Sequence, residues 1–387
     1  MFAASTAARY IRAFHFSCRD IQNFNGGHIL MIHLKPQFAV SFLKFIIALL
    51  AITFAAFGCE QKTTVEANKE PNNEESIWQQ TALDTFSVIA LAAIPDGSIL
   101  AATCSNGIFR SMDRGESWIS ISKGCVTTFA IRDNGDIFAT LQAGYVGNNN
   151  LLRSTDNGAT WKLLRAPANS ITRCVFNAAG EIFVGSLRHD ESRGGIYRSN
   201  DNGVTWLKIF PDSVGVNALA INKEGVIFAG TGLGMVRSFD NGQTWSQINN
   251  GLRERRNEPY VTALAINPIN ENVFAALAFD GIYRSTNNGE SWLLVGLDLP
   301  DSVRRYLFVN SFIFNSQGHA FVGCGGYFVE PEGVFYSKDN GETWTQVNSG
   351  LTSKYVLSLA VDVSGYVFAG TYGNDGVFRT DKFTTRK

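Results

Sequence analysis

The chain has 387 residues, and its 33 basic and 34 acidic side chains leave a net charge of −1. That balance gives no global pull toward nucleic acid. Apolar residues make up 45% of the chain, enough for a large core, and no Cys/His spacing suggests a zinc site. At this length two or three ordinary domains, or a single repeat array, would fit. Thirty-seven glycines and 29 phenylalanines recurring at intervals suit a protein built of β-hairpins.

Residues 1–30 show neither a regular period nor turn logic. Met31 opens a better-formed segment, MIHLKPQFAVSFLKFIIALLAITFAAFGC, in which Lys35 and Lys44 precede or flank the apolar run Phe45–Phe57. The run has the length of a signal-peptide core and is short for a membrane span. Translation is therefore expected to start at Met31, which would leave Cys18 outside the protein. The run ends in Ala-Phe-Gly-Cys59, which resembles the lipobox of bacterial lipoproteins. The resemblance implies a signal region over 1–58 and lipidation of Cys59. It also implies an exported protein held to a bacterial membrane, on the periplasmic or the cell-surface side. Ala56 stands where such boxes usually have Leu, and the other outcome is an uncleaved anchor. Residues 59–74 are polar, free of aromatics and contain Pro71, as in a tether. As a flexible coil, a tether of ~15 residues reaches roughly 20 Å.

Six later segments end alike. They are GIFRSMDRGESW (with Ser111, Asp113, Gly115 and Trp118) and LLRSTDNGATW (Ser154, Asp156, Gly158, Trp161). GIYRSNDNGVTW (Ser199, Asp201, Gly203, Trp206) and GMVRSFDNGQTW (Ser238, Asp240, Gly242, Trp245) follow. GIYRSTNNGESW (Ser285, Asn287, Gly289, Trp292) and GVFYSKDNGETW (Ser337, Asp339, Gly341, Trp344) complete the set. The shared Ser-x-Asp-x-Gly-x-Ser/Thr-Trp is identified as the Asp box of sialidases, sortilin-type receptors, some endoglucanases and the photosystem II assembly-factor family. Physically it is a tight turn. Ser and Asp side chains bond to nearby backbone, Gly supplies a positive φ, and Trp covers the turn. Asn287 keeps a side-chain acceptor, so the fifth turn should form. Identical chemistry in every repeat reads as a structural fastener rather than a ligand site.

Between boxes, paired apolar runs such as VNALAINKEGVIFAGT flank a polar turn, giving strands A and B of a blade. Strand C enters the box and strand D leaves it. Units begin near Val88, Val126, Ile171, Val216, Val261, Val309 and Val356, one more than there are boxes. The seventh ends at GVFRTDKFTTRK with no room for strand D, whereas Ile77-Trp78 reads like the tail of a box. The expected fold is therefore all-β. It is a seven-bladed β-propeller of four-stranded blades over 75–382, closed by an N-terminal strand that completes the last blade, with a tail at 383–387. Closure of this kind removes open sheet edges.

The A–B turns and boxes share one rim, and loop variation falls on the other, where binding usually resides. Its long loops carry Arg253, Arg255, Arg256, Arg304 and Arg305, with Lys354 expected to open the next inner strand. Tyr145, Phe279, Tyr327, Phe328 and Tyr372 lie in its B–C loops. These residues read equally as a basic, aromatic mouth over the channel or as scattered solvated charge. Arg173 lies on an inner strand where the other blades have small residues, as an anion contact or the partner of an acid. Cys104 and Cys125 both fall at this rim, where an export compartment would allow a disulfide. Cys174 reads as core.

Sialidases carry an Arg-Ile-Pro motif and six blades, and this chain has neither. The xyloglucan-cleaving endoglucanases use two propellers with paired Asp residues. Here Asp190, Glu191, Asp298, Asp301, Glu330, Glu332 and Asp375 stand isolated, although glycoside hydrolysis needs two carboxylates at a workable separation. The single propeller of the photosystem II assembly-factor family and its non-photosynthetic relatives is more similar. That resemblance implies an arginine-rich patch and a non-enzymatic scaffold. A monomer that binds a protein or glycan ligand and uses no cofactor or metal is expected. A divergent glycoside hydrolase is the alternative.

Overall fold

A computed structural model describes residues 77–104, 106–142, 151–168, 170–187, 194–211, 214–253, 259–295, 308–325 and 332–380. Its strands form seven four-stranded antiparallel sheets. In blades one to six the strands follow chain order from A to D. The inner strands start at Val88, Val126, Ile171, Val216, Val261, Val309 and Val356, as the repeat predicts.

The seventh blade is composite. Its A, B and C strands are Val356–Val361, Val367–Thr371 and Val377–Thr380, and its fourth strand is Trp78–Gln80. The pairing is Trp78 with Thr380, Gln79 with Arg379 and Gln80 with Phe378. Strand A of blade one packs against strand A of blade seven, so the ring is closed.

Every strand B is buried along its whole length. These strands lie between A and C within the sheet and between neighbouring blades above and below, which accounts for their unbroken apolar sequence. Six of them place a phenylalanine at the second position: Phe138, Phe183, Phe228, Phe274, Phe321 and Phe368, all with no exposed surface. Burial of such a ring contributes about 1.5–3 kcal/mol, so these spokes carry much of the stability. Between blades five and six, Phe274 meets Phe312 and Phe314 at centroid distances of 5.4 and 5.2 Å.

All seven A–B hairpins share a feature the sequence reading did not anticipate, a β-bulge one residue into strand A. A bulge leaves one residue outside the ladder and bends the strand. The bulged residues are Ile89, Thr127, Thr172, Asn217, Thr262, Asn310 and Leu357. Two of them reach the next blade: the Thr172 hydroxyl donates to the Val216 carbonyl at 2.7 Å, and Asn310 Nδ2 to the Val356 carbonyl at 2.9 Å.

Candidate functional site: two rims and a channel

The box rim is held together by its own repeats. In the third box the Ser199 hydroxyl donates to Asp201 Oδ1 at 2.8 Å and accepts the Gly203 amide at 2.8 Å. Asp201 in turn accepts the Thr205 amide at 2.9 Å and the Thr205 hydroxyl at 2.5 Å. Such bonds stabilise the carboxylate form. The Thr205 hydroxyl first, then its amide and Ser199, pull the Asp201 pKa from 3.8 to about 2. Asp113, Asp156 and Asp240 are lowered to about 2 in the same way, each chiefly by the hydroxyl four residues on. In the fifth box Asn287 Oδ1 accepts from Ser285 and from the Ser291 amide, at 2.8 and 3.0 Å, so the turn forms as expected.

The boxes also join one blade to the next. Trp245, Trp292 and Trp344 donate from Nε1 to the carbonyls of Ile209, Ile248 and Val295, each at the end of the preceding blade. Trp78 does the same to Val347, at 2.6 Å, and so acts as the seventh box tryptophan. The box glycine gives room for this approach: a Cβ on Gly242 would stand 2.4 Å from Ile209 Cδ1.

Among the described residues, a second link at five of the seven junctions joins the A–B turn of one blade to the residue before the box glycine in the next blade, which has a positive φ. Asn177, Asn222 and Asn267 donate to Asn241, Asn288 and Asn340 at 3.4, 3.2 and 3.1 Å. Arg132 donates to Asn202 at 2.8 Å. At the closure the pair is charged, with Arg114 Nε 3.3 Å from the buried Asp362 carboxylate. Sequence reading missed these links. The recurrence of Asn at both positions is the signal that could have found them.

The opposite rim is different. Among its candidates, Arg255, Arg256, Arg304, Arg305, Tyr145, Tyr327 and Phe328 lie outside the described residues, as do Cys59 and the acids Asp190, Glu191, Asp298, Asp301 and Glu330. Arg253 is described and exposed. Tyr372 is 56% exposed, and its ring lies 5.2 Å from that of Tyr355. The Ser353 hydroxyl donates to the Tyr372 carbonyl at 2.9 Å and fixes this aromatic pair. Lys354 is exposed but lies two residues before strand A, which begins at Val356 rather than at the lysine. Tyr260, at the end of the loop that carries Arg253, is 47% exposed and contacts Asn217 at 3.4 Å through its hydroxyl.

Asp280 was not singled out from the sequence, and it lies buried in the B–C turn of blade five, accepting a bond from the Tyr283 hydroxyl. Burial first, then Asp280, raises the Tyr283 pKa, so the phenol stays protonated.

Cys104 and Cys125 form a disulfide with a Cα–Cα distance of 4.1 Å. Cys174 and Cys324 are buried free thiols whose pKa values burial pushes up, consistent with core packing. Arg173 is half-buried. Its Nη1 donates to the Thr172 carbonyl at 2.8 Å, and it makes no ion pair among the described residues. Burial lowers its pKa from the usual arginine value.

Seven four-stranded blades, six of them carrying the box, define an Asp-box β-propeller. The BNR/Asp-box repeat family matches residues 236–247 and 335–346, the boxes of blades four and six. No curated protein matches the chain by sequence. Among solved structures, the extracellular domain of BT4673 from B. thetaiotaomicron is similar with a TM-score of 0.62 at 11% identity. The match covers 80% of this chain but spans only 40% of that one. YCF48 from Cyanidioschyzon merolae has a TM-score of 0.57 at 14% identity, over 80% of this chain and 100% of that one. The Niastella koreensis GH74 enzyme has a TM-score of 0.56 at 18% identity, over 79% of this chain and 44% of that one. At these identities the likeness is one of fold, and it includes both an enzyme and a protein solved bound to D1 peptide.

Proposed function

We propose that the protein is an exported, lipid-anchored scaffold that captures a partner on its variable rim, near blades four to seven. The observation that carries this reading is the contrast between rims. On the box rim the Ser, Asp and Asn side chains are occupied in holding turns and neighbouring blades. The other rim exposes Arg253, Tyr260, Lys354 and Tyr372 on loops of irregular length. Arginine binds carboxylates bidentately and stacks on aromatic groups, so this mixture suits an anionic or aromatic partner. The Cys104–Cys125 disulfide supports export, because such bonds persist in oxidising compartments.

Partners are to be recovered by pull-down with the protein lacking residues 1–59, and binding compared with a variant neutralised at Arg253, Arg255, Arg256, Arg304 and Arg305. The variant is expected to bind more weakly, to lose salt sensitivity and to melt at nearly the same temperature. Equal binding by the two proteins would overturn the rim assignment. Turnover in a glycoside screen would replace the scaffold reading with a hydrolase. Cys59→Ala is expected to release the protein from the membrane fraction.

A further inference from the structure

Arg173 is the only charged residue on the seven inner strands. It follows the bulge of its hairpin, and the residues in that register elsewhere are Ala90, Thr128, Ala218, Ala263, Ser311 and Ser358. All are small, so a long side chain entering the channel at this level meets no equally long neighbour from another blade. Strand A is bonded to strand B on its outer side and covered by adjacent blades on its faces. The solvent that reaches half-buried Arg173 therefore comes from the channel.

A guanidinium carries five N–H donors and remains charged in proteins. One donor of Arg173 is used on the Thr172 carbonyl, and the Nε–Nη2 edge meets no acceptor among the described residues. A partly desolvated charge without a counterion is costly, and a planar edge of two N–H groups matches a carboxylate or a single halide. With no second cation on the inner strands, the charge balance favours one negative charge over a dianion such as sulfate.

We propose that Arg173 makes the mouth of the central channel a binding site for one compact monovalent anion, a carboxylate or a halide. The site stands apart from partner capture by the rim and is tested without a partner.

The test compares wild type with Arg173→Met. At low ionic strength the Met variant is expected to melt higher, since it lacks a charge that no described residue compensates. Sodium bromide and sodium acetate should raise the wild-type melting temperature and close that gap, while sodium sulfate at matched ionic strength should not. Anion at ~100 times its Kd is expected to raise melting by several degrees. A response to acetate alone identifies a carboxylate site, and a response to bromide alone a halide site. Crystals of the wild type grown in bromide, or in acetate, should show an anomalous peak or an ordered carboxylate, respectively, within hydrogen-bonding distance of the Arg173 guanidinium. That measurement decides the matter if the Met variant fails to fold. Identical salt responses in the two proteins, with or without a bromide peak, overturn the proposal, and a peak alone then marks an adventitious ion only.

Discussion

The junction between blades five and six and that between blades one and two use the same sequence positions to different ends. At the first, Arg284 crosses to Glu342 of the next box at 2.7 Å, Asn267 donates to Asn340, and Trp344 donates to Val295. At the second, the residue after the box glycine is Ala159, and Arg110 turns back to Asp96 of its own blade, at 2.6 Å. Ile94 stands where other A–B turns have a polar residue, and the Trp161 indole nitrogen is buried without a partner among the described residues. A register shift between strands C and D of blade one accompanies this loss. The disulfide spans the same two blades on the opposite rim. The repeat thus fixes the turn inside each blade, while variable positions around it decide how tightly blades are joined. Where polar links are missing, a covalent one is present.

Four experiments sharpen or break that comparison. The largest effect should come from removing residues 1–84. Without Trp78–Gln80 the seventh blade exposes the edge of its strand C, and cooperative unfolding should be lost or the protein should aggregate. An unchanged melting curve would show that closure does not depend on this strand.

Next, Cys104→Ser with Cys125→Ser should lower stability by about 3 kcal/mol, the amount a loop of this size gives in the chain-entropy treatment. Hydrogen exchange should then quicken at blades one and two first. Uniform quickening around the ring would break the link between the disulfide and the weak junction.

A smaller difference is expected between two tryptophans. Trp292→Phe removes a buried bond to the Ile248 carbonyl and should cost about 1–2 kcal/mol by urea denaturation. Trp161→Phe removes a nitrogen that has no partner, and should cost about 0.5 kcal/mol or less.

The smallest effect concerns acid. Asp201 has a folded pKa of about 2 against an ordinary 3.8. Its contribution is therefore complete above the ordinary value and is lost as pH falls toward the folded one. Asp201→Asn, which copies the natural Asn287, should make the melting temperature fall less steeply across that interval. An unchanged slope would mean that the box carboxylates do not govern acid stability.

Much of the fold was legible because its signals are local and repeated. The Ser-x-Asp-x-Gly turns, the apolar B strands and the 40-residue step from Trp78 to Trp118 lie within short windows. The bulges were not legible, since Thr172 and Asn217 sit in runs whose alternation reads as plain strand. The inter-blade links escaped because their partners, such as Asn222 and Asn288, are 66 residues apart and meet only once register is known. At the site, sequence could place Arg173 on an inner strand and Arg253 on a rim loop. Whether Arg173 had an acidic partner depended on the neighbouring strands, and among the described residues it has none.

The composite seventh blade also has a consequence for synthesis. Gln79 leaves the ribosome early, yet it pairs with Arg379, 300 positions later. Six blades can assemble in order as they emerge, but the first strand must wait for nearly the last residues. Any prematurely terminated chain therefore keeps a three-residue strand without a partner and an open ring. Only a chain translated to its final blade can shut.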